Sequence, residues 1–222
     1  MGSEANPQAE RTPVIRVFLV DDHAVLRDGL RRVLEETADI SVVGEAGTIA
    51  EALRRAAVER WDVLIADLTL PDGNGIDLVR EARALQPRLA VLVLSMHAED
   101  FYASRVLAAG ASGYLTKGRP SSMVLEAVRR VASGQRFITP EMADVLLERS
   151  AAPDRPLHEA LSDRQLQVLI LVGQGKSPSE VGAALELRPS TVSSHLQQIK
   201  EKLALRNIGE LAQYALRNGL CP

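Results

Sequence analysis

The 222-residue sequence predicts an α/β domain, a doubly wound five-stranded parallel sheet, followed by a smaller all-α domain. Three observations lead to this fold class. Short apolar runs that suit buried strands alternate with segments of helical period as far as residue 133. Beyond residue 157 the period is helical throughout. Between the two stretches, Pro153 and Pro156 indicate a linker.

The elements of the first half follow one another in regular order. Strands are expected at 14–20, 40–43, 61–66, 89–94 and 113–116. Helices are expected around 26–34 and at 49–57, 75–85, 99–109 and 121–133. Such β-α alternation implies a parallel sheet with helices on both faces. Residues 1–13 show no periodicity and are expected to be a disordered leader, so the first domain is assigned to residues 14–133.

The second half is predicted to be a linker followed by a helical domain. Residues 134–157 form the linker, with one helix at 141–149, and residues 158–222 form the domain. Ser177-Pro178-Ser179-Glu180 is typical of a helix start, because Ser can cap the helix and Glu can complete a capping box. Four helices are expected, and the one at 189–203 has a narrow apolar stripe opposite a polar face.

Composition narrows the class of protein. Apolar residues make up 46% and charged residues 25% of the chain, as in ordinary globular proteins. We find no apolar run near the roughly 18 to 20 residues of a membrane span, and no membrane partner is expected. With a single cysteine, Cys221, the chain has no internal disulfide framework, which suits the cytoplasm. Residues 158–222 carry a formal charge of +1 and the rest −4, weak support for a nucleic-acid partner.

Reactive side chains follow four of the predicted strands. Asp67 ends a short, nearly continuous apolar run, and the other three strands end in Asp21-Asp22, Ser95 and Lys117. Because ligands of parallel sheets bind outside the carboxyl ends of the strands, these groups should meet at one site. Clustered carboxylates are suited to Mg²⁺, and a carboxylate near an ammonium group can act as a nucleophile toward phosphorus.

In this order on alternating strands and helices, Asp21-Asp22, Asp67, Ser95, Tyr114 and Lys117 resemble the receiver domain of two-component response regulators, which has a flavodoxin-like fold. The resemblance implies that Asp22, Asp67 and the backbone carbonyl of Thr69 bind Mg²⁺, with Asp21 acting mainly through a bound water. It also implies that Asp67 takes a phosphoryl group from a phosphohistidine on a sensor histidine kinase.

The same resemblance assigns the remaining residues of the site. Lys117 would pair with the phosphoryl oxygens, and the Ser95 hydroxyl would move to bond one of them. That movement would allow Tyr114 to turn inward and change the face formed by the last two helix-strand units. His23 and His97 are expected to be neighbours of the site that shape access to it.

The polar face of the helix at 189–203 is predicted to bind DNA. Its hydroxyls and amides can approach base edges while its cations meet phosphates. The expected DNA contacts are Ser190, Thr191, Ser193, Ser194, Gln197, Lys200 and Lys202.

Residues 161–220 resemble the LuxR-type helix-turn-helix domain of the NarL and FixJ group, through the following motifs: Leu161-Ser162-x-Arg164-x-x-x-Val168-Leu169, Gly175-Lys176-Ser177, Thr191-Val192-Ser193-x-His195-Leu196, Lys202-Leu203 and Tyr214-Ala215-Leu216-Arg217. The resemblance implies a dimer contact through the last helix, at Ile208, Leu211, Ala212 and Ala215.

This chain departs from the LuxR-type pattern at four positions. Glu186 stands in the turn where family members usually have Gly, and Arg188 where the helix cap is often Ser. Gln167 replaces a common acid, and Ser193 replaces a frequent Lys. Glu is unfavourable if its site needs a positive φ, and Arg cannot accept a capping bond. We therefore expect the fold to hold while DNA affinity and target sequence differ.

The sequence thus predicts a phosphorylation-controlled DNA-binding transcriptional regulator, not a turnover enzyme. Phosphorylation is expected to rearrange the second domain and favour a homodimer on two half-sites of promoter DNA. One alternative is a regulator that acts without phosphorylation. Another is an aspartyl-phosphate hydrolase, which would need an acid-base carboxylate where Thr69 stands. A third, for the second domain alone, is a helical dimerisation module without DNA contact.

Overall fold

The computed structural model describes residues 14–96, 99–151 and 156–221. The expected leader at 1–13 and His97 lie outside the described residues. In the first domain the elements are, in chain order, β1 (Ile15–Val20), α1 (Ala24–Glu35), β2 (Ile40–Ala46), α2 (Ile49–Ala56), β3 (Val63–Ala66), β4 (Thr69–Leu70), β5 (Gly73–Asn74), α3 (Gly75–Leu85), β6 (Ala90–Ser95), α4 (Glu99–Ala108), β7 (Gly113–Thr116) and α5 (Ser121–Ala132).

The main sheet is parallel, with strand order β2-β1-β3-β6-β7. The predicted doubly wound five-stranded fold is therefore confirmed. Strand β3 lies at the centre, and all its residues are buried because helices cover both faces of the sheet. Leu64 packs into the cluster on one face, whereas Val63 and Ile65 pack into the cluster on the other.

A two-stranded hairpin, β4-β5, follows β3 and was not among the strands expected from the sequence. Its Asp72 carboxylate accepts hydrogen bonds of 2.8 Å from the backbone N–H groups of Ile49 and Ala50, which ties the hairpin to the start of α2. Gly75 follows the hairpin directly and begins α3, and a Cβ atom there would lie 2.0 Å from the carbonyl oxygen of Asp67. Only glycine allows helix α3 to begin so close to the end of β3.

The linker and second domain contain α6 (Pro140–Ala151), a 3-10 helix (Leu157–Ala160), α7 (Asp163–Gly173), α8 (Pro178–Ala184), α9 (Pro189–Leu203) and α10 (Ile208–Arg217). Helix α6 is longer than the predicted 141–149, so Ser150 and Ala151 are helical rather than part of an irregular linker. The sequence also missed the 3-10 helix. The capping box predicted at Ser177 and Glu180 is present, and a second one joins Ser162 and Gln165.

The apolar stripe of α9 is buried in the core of the second domain, against α7 and α8. Buried residues of this core and of the first-domain cluster that contains Leu64 form one continuous apolar cluster. None of the helices within the described ranges is long and apolar enough to cross a bilayer.

Among the residues that the structure describes, two non-glycine residues have a positive φ, Glu186 at 51° in the turn before α9 and Ala204 at 54° after it. A left-handed conformation costs an L-residue with a Cβ atom about 1 to 2 kcal/mol. The unfavourable backbone expected at Glu186 is therefore present, and Arg188 makes no side-chain cap at the start of α9.

We predict that Glu186→Gly raises the free energy of unfolding by about 1 kcal/mol, because glycine removes the steric cost while adding some entropy to the unfolded chain. Urea unfolding followed by circular dichroism measures the change. In the control Ala184→Gly, at the end of α8, the free energy of unfolding should instead fall by about 0.5 to 1 kcal/mol. Destabilisation by both substitutions would contradict the strain at Glu186.

An ion pair joins α5 to the loop before β2. Arg129 donates to Asp39 through Nε at 2.7 Å and Nη2 at 3.0 Å. The Arg129 guanidinium lowers the pKa of Asp39 from 3.8 to about 2. Since this pKa is lower in the folded protein, the ion pair stabilises the fold above pH 3.8, and this contribution is lost as the pH falls toward 2.

We predict that Asp39→Asn lowers the free energy of unfolding at pH 7 by less than about 1 kcal/mol, because both side chains are partly exposed. Denaturant unfolding at a series of pH values should show the difference from wild type shrinking below about pH 4. Asp28→Asn, an exposed carboxylate on α1, is the control. A deficit that stays constant down to pH 2 would exclude the ion pair as its cause.

Candidate functional site

The carboxyl ends of β1 and β3 place two buried carboxylates side by side. Asp67 is 5% and Asp21 4% exposed. Backbone bonds fix both residues, since Asp67 N–H donates to Val20 at 2.8 Å and Asp21 N–H donates to Ala46 at 3.2 Å. The Asp67 Oδ1 atom also accepts a bond of 2.6 Å from the backbone N–H of Leu68. The other oxygen, Oδ2, faces Lys117.

Lys117 lies just beyond β7 and joins the two carboxylates. Its Nζ atom is 2.7 Å from Asp21 Oδ2 and 2.7 Å from Asp67 Oδ2. Burial lowers the pKa of Lys117, but the two carboxylates outweigh it and the net pKa is raised. Burial also raises the pKa of Asp67, and the ammonium group opposes that rise. Lys117 therefore remains charged and offsets the repulsion between the acids.

Asp22 and His23 complete the acidic pocket. His23 Nδ1 is 2.7 Å from Asp22 Oδ1, and both side chains are more exposed than Asp21. One potential ligand atom each from Asp21, Asp22, His23 and Asp67 lie within 4.8 Å of one another. Carboxylate oxygens at this spacing fit a hard divalent cation.

The predicted switch residues lie on the next two strands. Ser95 ends β6 and is fully buried, and its backbone oxygen accepts a bond of 2.7 Å from Lys117 N–H. Tyr114 on β7 is also fully buried and packs in the apolar cluster shared by the two domains. Thr69, the expected carbonyl ligand, begins β4 directly after the pocket.

Arg27 is a residue of the site that the sequence analysis missed. It lies in α1, and its Nη1 atom donates to the backbone carbonyl of Asp21. Its Nε atom donates to Glu45 on β2 at 3.0 Å. Arg27 thus fixes the turn that carries the acidic pair. The sequence places Arg27 one helical turn after His23, which indicates a position near the site. Nothing in the sequence predicts its contact with Glu45.

Most of the predicted DNA-binding side chains are on the accessible face of α9. Exposed residues are Ser190, Ser193, Ser194, Gln197 and Lys202, while Thr191 and Lys200 are half-buried. Lys202 Nζ donates to Ala160 O at 3.1 Å and to Gln165 Oε1 at 2.8 Å. Because these partners are neutral, the charge of Lys202 is not cancelled by an acid there. Gln197 bonds Glu201 at 2.8 Å along the helix.

Arg164 holds the turn before α9. Its Nη2 atom donates to Leu185 O at 2.6 Å, beside the strained Glu186, and its Nη1 atom donates to Gln167 at 3.0 Å. Burial lowers the pKa of Arg164. A neutral amide at Gln167, in place of the usual acid, thus serves as the acceptor for this arginine.

Helix α10 only partly fits the dimer role expected for it. Leu211 and Ala215 are 0% exposed and belong to the core of the second domain, so they cannot form a contact between molecules. This corrects the prediction at those two positions. Ile208 is 40% exposed and Ala212 half-buried, and Leu216, at 52%, adds to the same accessible side.

Comparison with known proteins gives matches over both domains. Residues 17–129 match the model of the response regulator receiver domain, and residues 159–215 match that of the bacterial regulatory proteins of the luxR family. The response regulator UvrY of Escherichia coli K12 is 34% identical over 94% of this chain and 96% of its own length. The response regulator GacA of Pseudomonas aeruginosa is 33% identical over 93% and 98%.

Solved structures give the same result. An RcsB response regulator of Salmonella typhimurium, from a study of its interaction with DNA, has a TM-score of 0.58 at 26% identity and covers 91% of this chain and 98% of its own. A LuxR-family response regulator of Aurantimonas has a TM-score of 0.59 at 33% identity, over 63% and 99%.

The fold, the acidic pocket and the helix-turn-helix define a two-domain regulator of transcription that is controlled by phosphorylation. The chain belongs to the response regulators of two-component systems that join a receiver domain to a LuxR-type DNA-binding domain.

Proposed function

We propose that Asp67 accepts a phosphoryl group from the phosphohistidine of a sensor kinase and that this modification controls promoter binding by α9. The observation that carries the proposal is the pair of 2.7 Å bonds from Lys117 to Asp21 and Asp67. They place a buried carboxylate directly beside a cation, which favours the ionised form that a nucleophile toward phosphorus requires.

The chain's own groups account for the transfer. An Asp67 oxygen forms the new bond to phosphorus while the bond from phosphorus to the kinase imidazole breaks, and the released imidazole nitrogen takes a proton from solvent. Lys117, already placed on Asp67, can turn from the carboxylate to the phosphoryl oxygens. The Ser95 hydroxyl, on the neighbouring strand, then bonds one of them and Tyr114 repacks.

Asp21, Asp22, Asp67 and the backbone carbonyl of Thr69 are the groups that would hold Mg²⁺. When bound, the ion neutralises the carboxylates and binds phosphoryl oxygens. Arg27 and Glu45 keep the acidic turn in place for it.

We propose that the chain is not a turnover enzyme. An aspartyl-phosphate hydrolase needs an acid-base carboxylate close behind its nucleophile, and the residue two positions after Asp67 is Thr69. Thr69 supplies a hydroxyl and cannot take that role near neutral pH.

We predict that Asp67→Asn abolishes the phosphate adduct formed with acetyl phosphate and Mg²⁺, because the amide is not a nucleophile toward phosphorus. Intact-protein and peptide mass spectrometry measure the adduct and its position. Asp62→Asn, at the opposite end of β3 and exposed, should be labelled like wild type. An adduct on Asp67→Asn equal to wild type would refute the assignment, and steady release of phosphate over many turnovers would favour the hydrolase.

We propose that α9 reads promoter DNA in the cytoplasm and that Ile208 and Ala212 contribute to a homodimer when Asp67 is phosphorylated. Residues at the two ends of the face have different roles. Ser194 and Gln197, both exposed, would reach base edges, whereas the cations Lys200 and Lys202 would meet backbone phosphates. A dimerisation module without DNA contact would not need this division.

We predict that Gln197→Ala weakens the free energy of specific DNA binding by about 1 to 3 kcal/mol and reduces the preference for particular bases, because it removes a base contact. Lys200→Gln should weaken binding to all sequences and reduce the salt slope by about 1. Fluorescence anisotropy at several salt concentrations, on a promoter fragment recovered by genomic footprinting, measures both. Gln213→Ala, exposed on α10, is the control. Equal affinity of all three variants would favour the dimerisation module.

A further inference from the structure

One arginine of the receiver domain holds the start of the DNA-binding domain. Arg105 on α4 donates from Nη1 to Leu161 O at 2.8 Å and to Asp163 Oδ1 at 2.9 Å. Its Nη2 atom donates to His158 O at 3.0 Å and to Glu159 O at 3.2 Å. One guanidinium therefore bonds a single segment of the other domain, residues 158–163, through four acceptors.

These bonds form a specific contact. Three of the four acceptors are backbone carbonyls, which the fixed fork of a guanidinium can reach together and the single ammonium group of a lysine cannot. The Arg105 side chain is only 16% exposed. Arg80 on α3 makes a second and longer contact, 3.7 Å from its Nη2 atom to Asp163 Oδ2.

The contact lies beside the switch residues. Tyr102, one turn before Arg105 on α4, is fully buried. Tyr102 and Tyr114 pack in the same apolar cluster, where helix α4 contacts strand β7. Repacking of Tyr114 therefore acts on the same part of α4 that holds the DNA-binding domain.

The docked arrangement leaves the DNA-binding surface open. Ser190, Ser193, Ser194 and Gln197 are exposed while Arg105 holds residues 158–163. The receiver thus contacts the DNA-binding domain at the start of α7 and does not cover the outer face of α9.

We propose that Arg105 is a latch, a reversible contact that fixes the orientation of the DNA-binding domain without blocking it. With the latch in place the unphosphorylated protein binds single half-sites, and release of the latch permits two domains to bind two half-sites together. This rests on the proposed function and adds its regulation. Two half-sites lie about 34 Å or a multiple of it apart, so two domains must be free to adopt that spacing.

The test compares unphosphorylated full-length variants on two DNA probes, one with a single half-site and one with two. We expect Arg105→Ala to bind the two-site probe about 5- to 50-fold more tightly than wild type, within the usual range of coupling between sites. Its affinity for the single half-site should change less than about 2-fold. Arg105→Lys should resemble Arg105→Ala, because an ammonium group cannot replace the fork.

Arg88→Ala, an exposed arginine beyond the end of α3, is the matched control and should behave as wild type on both probes. Small-angle scattering should show a larger radius for unphosphorylated Arg105→Ala than for Arg88→Ala. Labelling of Asp67 by acetyl phosphate reports that the receiver of each variant is folded.

Two outcomes would overturn the latch. One is unchanged two-site affinity and radius in Arg105→Ala with the receiver folded. The other is an equal gain on both probes, which would mean that the receiver blocks α9 itself. Because these measurements use unphosphorylated protein, they can fail while Asp67 still accepts phosphate, so the latch and the phosphoacceptor assignment are tested separately.

Discussion

The ammonium group of Lys117, bonded to two buried carboxylates, is the interaction on which the rest of the receiver depends. Removing charges from water costs several kcal/mol per ion, so burying the Asp21 and Asp67 carboxylates side by side would be costly without a cation between them. The 2.7 Å bonds to Lys117 offset that cost. They also require β1, β3 and β7 to end at the same edge, which links the order of the sheet to the chemistry of the site.

The receiver fold and pocket were predictable because both follow from local patterns. The run Val63–Ala66 is apolar without interruption, as a central strand of a covered parallel sheet must be. Parallel register then brings the ends of such runs together, as in the pairs Val20 with Ala66 and Ser95 with Thr116. The chemistry at each end could therefore be assigned before the structure was known.

Other features depend on contacts that no local pattern contains. Arg27 reaches Glu45 on another element, and Arg105 reaches a segment more than fifty positions away. Helix α10 shows a different limit. Its apolar residues share one stripe, but periodicity does not say which edge of the stripe faces the core of the domain. Leu211 and Ala215 face that core, whereas Ile208 is exposed.

The geometry at Arg105 suits a contact that must be reversible. Four bonds to one guanidinium are specific, but a cleft of roughly 610 Å³ borders them, lined in part by Asp77, Arg80 and Asp163. Water that enters this cleft can replace the lost bonds, so releasing the arginine costs far less than exposing a dry ion pair. Tyr102 and Tyr114 pack in the same apolar cluster as the core of the DNA-binding domain. Because packed cores change between discrete arrangements, a repacking of Tyr114 can shift the equilibrium between the bonded and the released state of Arg105.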